Sequence, residues 1–222
     1  MSRPQALDLF AGAGGASMGL YMAGFDVVGV DIKDQPHHPA YHDADYASHF
    51  DFWQGDALGW DMKGFDLVWA SPPCQAHTAY RTMPNHLSHQ DLIAPIRERL
   101  ERWGGPYIIE NVPNAPLREP LTLCGTMFGL GAAGAILKRH RLFESNRLLF
   151  APAPCQHTQA ERVIGVYGGH GVDKRRKKNT QFYLLAERKE AMGIDWMLEK
   201  ELNLAIPPAY SEWLGKQILG GW

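Results

Sequence analysis

At 222 residues the chain can bury one sizeable core, and a composition of 45% apolar and 21% charged residues excludes a disordered or fibrous chain. A net charge of −2 gives no sign of a uniformly basic nucleic-acid binder, and three widely spaced cysteines, Cys74, Cys124 and Cys155, exclude a disulfide framework while leaving one reactive thiol open. No apolar run is long enough to span a bilayer and the N-terminus lacks a signal-peptide pattern, so a cytoplasmic protein with no membrane contact is expected.

The first half alternates short apolar runs with helical patterns, the signature of a parallel sheet with crossover helices. In chain order, "ALDLF" (6–10) reads as a strand, "GGASMGLYMAG" (14–24) as a glycine-opened helix, and "DVVGV" (26–30) as a second strand running into Asp31. "FWQGD" (52–56), "FDLVWA" (65–70) and "PYIIE" (106–110) supply three more strands. Between the last two, "SHQDLIAPIRERLERWGG" predicts a helix with Ser88 and Asp91 as a capping box and a kink at Pro95. After Asn111 the chain becomes rich in loops, "ILKRHRLFES" looks extended, and three helical patterns follow from Leu184 to the C-terminus.

The charge is unevenly placed. From Lys138 to Lys178 ten Lys or Arg face three Asp or Glu, so this stretch carries +7 and the rest of the chain −9. A segment that meets a polyanion and an ordinary solvated surface are equally consistent with that split.

"DLFAGAGG" follows a strand and opens a helix, where glycines let backbone amides approach a ligand. A tight turn packing helix on sheet would look much the same, and the spacing fits a dinucleotide fingerprint only loosely. Asp31 and Asp56, at the tips of successive strands, add acceptors suited to a ribose and an adenine amino group. In "ASPPCQAHT" (70–78), Pro72 and Pro73 stiffen the backbone before Cys74 at the end of the fourth strand, where ligands of such sheets bind. A thiol so placed suggests covalent catalysis, although an isolated cysteine is more often an inert apolar residue. "IIENVP" sets Glu110 and Asn111 at the end of the fifth strand. A thiolate there can add to an electron-poor carbon while a neighbouring carboxyl group protonates the ring.

Taken in order, "DLFAGAGG", "GD" (55–56), "SPPCQ" and "ENV" resemble the S-adenosylmethionine-dependent DNA (cytosine-5) methyltransferases. "KRHRLFES" (138–145) is similar to that family's arginine pair, "LLAERKEAMGID" (184–195) to its R-E-A helix, and "AIPPAYSEWLGKQI" (205–218) to its closing helix. The resemblance implies a Rossmann-like α/β fold, a doubly wound and mostly parallel sheet of the class I methyltransferase type with a small basic insert. It implies that Cys74 attacks C6 of cytosine, that Glu110 holds or protonates N3, and that Asn111 orients local backbone. Arg139 and Arg141, spaced as alternate residues of one strand, would face one side and contact the flipped base and a flanking phosphate. The methyl donor would lie against Asp8, Phe10, Gly12, Gly14, Gly15, Asp31, Ile32, Asp56, Ala57 and Pro72, leaving S-adenosylhomocysteine as product.

Three features depart from the family pattern. Leu137 stands where glutamine is common, and Asn203 and Leu204 stand where Gly-Asn usually opens the closing motif. The long target-recognition domain is reduced to about Glu144 to Phe182. The division expected is a catalytic domain at 1–143, a recognition segment at 144–182 and C-terminal helices at 183–222. Gln75 and the run Lys174, Arg175, Arg176, Lys177 and Lys178 would contact nucleic acid, phosphates above all, which favours a short or relaxed target sequence in DNA. Free cytidine nucleotide or RNA as substrate, and a silent DNA-binding relative, stay open. Compact enzymes of this type are familiar from phages, where they protect DNA against restriction. A monomer is expected. No metal is expected either: His77, His140, His157 and His170 have no zinc-finger spacing, and Cys124 reads as packing. Trp196, Met197, Tyr210 and Trp213 read as core.

Overall fold

The computed structural model describes residues 2–41, 48–73, 91–158, 161–167 and 183–220. The chain order is β1 (Gln5–Leu9), α1 (Gly15–Ala23), β2 (Asp26–Asp31), β3 (Phe50–Gln54), β4 (Leu67–Ala70), α2 (Ile93–Trp103), β5 (Tyr107–Asn111) and β6 (Leu121–Leu123). There follow β7 (Gly131–Ala132), β8 (Ala135–Leu137), β9 (Arg141–Ser145), β10 (Val163–Ile164), α3 (Leu185–Met192), α4 (Glu199–Leu202) and α5 (Pro208–Ile218).

Seven strands form one sheet in the order β3-β2-β1-β4-β5-β9-β6. The first five are parallel, and β9 runs antiparallel between β5 and β6. From β1 the chain winds outward through β2 to β3, then returns to place β4 and β5 on the other side of β1. That reversal opens a crevice at the carboxyl ends of β1 and β4. The apolar runs explain the arrangement: every residue of β4 is buried, as strands covered on both faces must be.

One face packs Leu20 and Phe25 against Tyr210 and Leu214 of α5, so the C-terminal helix closes on the first. The other packs Leu7, Leu9, Val68 and Ile109 under Ile96 and Leu100 of α2. A buried fork joins α2 to β9, with Arg97 Nε 2.6 Å from Glu144 Oε1 and its terminal nitrogen 2.7 Å from Oε2. The strands β7, β8 and β10 form a small second sheet that packs with α3 over Met192 and Ile194. The segment boundary expected after residue 143 therefore falls inside β9, which runs on to Ser145. Among the described residues no helix is long and apolar enough to cross a membrane.

Several expected elements shift. The third strand ends at Gln54 rather than Asp56, because Gly55 N–H bonds back to the Asp31 carbonyl and Asp56 begins a turn. Helix α2 begins at Ile93, with Asp91 Oδ1 accepting the Ile93 N–H, and Ser88 lies outside the described residues. Pro95 then falls in the first turn, where its missing N–H has no intrahelical partner to lose, so the expected kink has no cause. Only Glu199–Leu202 of the "DWMLEKELNL" stretch is helical.

Candidate active site

A cavity of about 300 Å³ lies at the carboxyl ends of β1, β2, β4 and β5. That is within the usual range of small-molecule sites. Asp8 from β1, Phe10, Gly12 and Gly15 from the turn into α1, and Asp31 and Ile32 from the end of β2 line one part. Ser71, Pro72 and Pro73 after β4, Glu110 and Asn111 from β5, and Arg141 from β9 line the other.

Phe10 takes φ 62°, a left-handed conformation that a bulky residue adopts only where its surroundings hold it. It turns the chain sharply from strand to helix. Both carboxylate oxygens of Asp31 are held by backbone, Oδ2 by Gly12 N–H at 3.0 Å and Oδ1 by Lys33 N–H at 3.0 Å. Each oxygen keeps a lone pair for a ligand hydroxyl.

Asp8 is fully buried. Its Oδ2 accepts the Ser17 hydroxyl at 2.6 Å, whereas Oδ1 has no partner. Burial, against the relief of that hydrogen bond and with Asp31 nearby, pushes its pKa from 3.8 up to about 7. Behind Ser17 stands His38, also fully buried. Ala40 N–H donates to His38 Nδ1 at 3.2 Å, so Nε2 carries the proton and donates to Ser17 Oγ at 3.0 Å. Sequence reasoning missed Ser17 and His38, since neither type at that spacing signals a site.

Glu110 is 8% exposed, and Arg141 Nε stands 3.1 Å from its Oε1. Burial nevertheless dominates: it raises the Glu110 pKa against the opposing charges of Arg141 and Arg139 and the Ser71 hydrogen bond. The indole N–H of Trp69 donates to Ser71 Oγ at 2.9 Å, which leaves the Ser71 proton directed to Glu110. Asn111 Nδ2 donates to the Pro72 carbonyl at 2.9 Å, and its Oδ1 accepts Val112 N–H at 2.9 Å. Asn111 thereby ties the end of β5 to the double-proline turn. Cys74, the next residue after Pro73, lies outside the described residues, as do Gln75 and Lys174 to Lys178.

Four of the expected site residues, Arg139, Gly14, Asp56 and Ala57, are not among those lining the described cavity. Arg139 does not share a strand face with Arg141, because β9 begins only at Arg141. Its guanidinium, 1% exposed, instead donates to the carbonyls of Val166, Asn203 and Ala205, binding the insert and the segment before α5 to the sheet. Burial, then the charge of Arg141, pushes its pKa down to about 9. Gly14 turns from the cavity, since a Cβ there would sit 2.3 Å from Pro39 and 2.9 Å from His38. Asp56 caps its own turn by accepting Leu58 N–H at 2.9 Å, and Ala57 packs in the core beside Leu9 and Val30.

The C-terminal segment contributes walls that the sequence did not announce: Met197, Glu201, Leu204, Ala205 and Ile206. Asn203 is not among them, its carbonyl being taken by Arg139. Met197 is both core and cavity wall, and Tyr210 is fully buried with its hydroxyl donating to the Arg139 carbonyl at 2.7 Å.

A reversing parallel sheet with an antiparallel strand near its edge and a cavity at the switch point is the fold of the class I α/β methyltransferases. Solved structures share this fold. A prophage-encoded E. coli protein described as a DNA modification methyltransferase superposes with TM-score 0.65 at 13% identity, covering 98% of this chain and 99% of that one. The Dnmt2 methyltransferase of S. pombe gives 0.60 at 14% identity with the same coverage. The profile of the C-5 cytosine-specific DNA methylases matches residues 5–115, half of the chain, and the chain belongs to that family. The type II methyltransferase M.XorII of Xanthomonas oryzae pv. oryzae is 40% identical over 124 residues, which take in 50% of this chain and only 29% of that relative.

Proposed function

We propose that the protein transfers a methyl group from S-adenosylmethionine to C5 of a cytosine turned out of a DNA helix. The observation that carries the reading is one cavity with two different halves. Asp31, Gly12 and Phe10 offer acceptors, a backbone amide and an apolar face to a nucleoside-bearing donor. Glu110 and Arg141 offer a proton and a positive charge to a base.

The residues fit such a donor. The unpartnered Asp8 Oδ1 is a buried acceptor on the cavity wall, suited to a cationic ligand, and Asp31 retains lone pairs for ribose hydroxyls. When bound, S-adenosylmethionine supplies an electrophilic methyl group on a sulfonium.

The chain's own residues do the rest. Cys74, carried by the turn that Asn111 holds through Pro72, adds as thiolate to C6 of the cytosine and makes C5 nucleophilic. Glu110, whose raised pKa favours the protonated form, donates to N3 and stabilises the charge that develops on the ring. Arg141 holds Glu110 in place. Arg139, bound to three carbonyls, acts as a positioning residue for the walls of the site. Loss of the C5 proton to solvent, return of the N3 proton to Glu110 and expulsion of the Cys74 thiolate leave 5-methylcytosine and restore the enzyme. The base must leave the stack, because C6 is hidden within a duplex.

The short insert with Lys174 to Lys178 supports a short or relaxed target sequence, since phosphate contacts carry affinity rather than sequence information. Protection of phage DNA against restriction is the role such an enzyme would serve. Tritium transfer from labelled donor to duplex DNA, single-stranded DNA, RNA and dCMP tests the substrate. Labelling of duplex DNA above the others is expected, and preferred labelling of RNA or dCMP would overturn it. Bisulfite sequencing of DNA from expressing cells tests specificity, and methylation confined to one long motif would refute the relaxed reading.

A further inference from the structure

At the far edge of the sheet from β3, four side chains from three separate segments converge. Cys124 follows β6, His140 immediately precedes β9, and Cys155 and His157 lie on the strap that leaves β9. Their donor atoms all lie within 4.8 Å of one another. His140 Nε2 is 3.4 Å from Cys155 Sγ and 3.4 Å from His157 Nε2. With Zn–N about 2.0 Å and Zn–S about 2.3 Å, a tetrahedral site has N···N edges of about 3.3 Å and N···S edges of about 3.5 Å. The two separations match those edges. Two sulfurs and two imidazoles in this geometry suit zinc better than a hard cation.

We propose that Cys124, His140, Cys155 and His157 bind one structural zinc ion. On binding, the two thiols lose their protons to solvent and two Zn–S bonds form, so the thiolates balance the charge of the ion. All four positions are filled by protein, and none of these residues lines the cavity, so the site is closed and separate from methyl transfer. Thr126 supports it from outside: its hydroxyl donates to Cys124 Sγ at 3.4 Å and lies 3.7 Å from Cys155 Sγ.

The ion would pin the strap to the edge formed by β6 and β9, fixing where the insert leaves the catalytic sheet. It would also fix the peptide between the two arginines. The His140 carbonyl accepts a bond from Arg141 at 2.9 Å, and Arg141 in turn holds Glu110. Zinc thus sets the alignment of a site it does not touch. Sequence spacing hid the cluster, because only Cys155 and His157 are near one another in the chain.

The full chain, purified without chelator and dialysed, tests this by elemental analysis and cobalt exchange, both independent of activity. About one zinc per chain is expected, together with the visible absorption of tetrahedral cobalt and a near-ultraviolet sulfur-to-cobalt band. Cys155→Ser and His157→Ala, at less buried ligands, should each weaken zinc by more than the 10- to 100-fold typical of losing an outer partner. Metal content that stays well below one per chain after incubation of the reduced protein with excess zinc and dialysis would overturn the proposal. So would a Cys124–Cys155 disulfide in the active protein, or full retention of zinc by both variants.

Discussion

Replacement of Asp8 by asparagine should change how stability depends on pH. The variant keeps an acceptor for the Ser17 hydroxyl but removes the ionisation. In the folded protein the pKa of Asp8 is about 7, against 3.8 for an unhindered aspartate. A carboxyl group raised in this way contributes stability that is fully present below pH 3.8 and lost as pH rises towards 7. In between, the unfolded chain has released a proton that the folded chain still holds, so the wild type loses about 1.4 kcal/mol per pH unit. Over the whole interval this is about 4 kcal/mol. Urea unfolding of both proteins from pH 5 to pH 8 isolates the effect, because the other titrating groups cancel in the difference. The stability of Asp8→Asn relative to wild type should increase by about 2 kcal/mol between pH 5 and pH 7, then level off. A difference that stays flat within about 0.5 kcal/mol, with unchanged denaturant slopes, would refute a buried neutral Asp8.

The two arginines should separate by assay. Arg139→Met leaves three carbonyls without a donor and should lower stability by about 3 kcal/mol in urea titration. Arg141→Met should leave the midpoint closer to wild type while kcat/KM falls about 100-fold. Equal effects on stability would contradict the division of roles. Glu110→Gln should reduce kcat by about 10²- to 10⁴-fold with donor affinity little changed, measured by single-turnover methyl transfer, and a loss below threefold would remove Glu110 from proton transfer. Gly19→Ala places a Cβ 2.1 Å from the Pro208 carbonyl and the Ser211 hydroxyl, forcing α1 from α5. It should lower stability by about 3 kcal/mol, whereas Gly59→Ala, whose Cβ meets nothing closer than 3.6 Å, should be near neutral in thermal unfolding.

The N-terminal half was legible because its central strands β1, β4 and β5 are buried on both faces and therefore read as continuous apolar runs, "LVWA" and "YII" above all. The expected strand ends pointed to Asp31 and Glu110, whereas Asp8 was indicated only by the family resemblance. The edge of the fold was not legible in the same way. Strands of two or three residues such as β7, β8 and β10 are too short to show alternation. Arg139 and Arg141 alternate in sequence, yet a strand that starts one residue after His140 gives the first arginine no reason to follow the second. Gly14 belongs to a motif that does line the cavity, but packing against His38 and Pro39 decides where it faces, and Ala57 packs against Leu9 and Val30 in the core. His38 and Ser17 form a buried chain to Asp8 that depends on three elements meeting, which no local pattern records.

Covalent trapping decides whether Cys74 is the nucleophile. Wild-type protein and Cys74→Ser are incubated with duplex DNA containing 5-fluorocytosine, with and without S-adenosylmethionine, and resolved under denaturing conditions. A protein–DNA adduct is expected for the wild type only in the presence of the methyl donor, and none for Cys74→Ser. Wild-type protein that binds the DNA and the donor yet forms no adduct, or an adduct that persists in Cys74→Ser, would contradict that role.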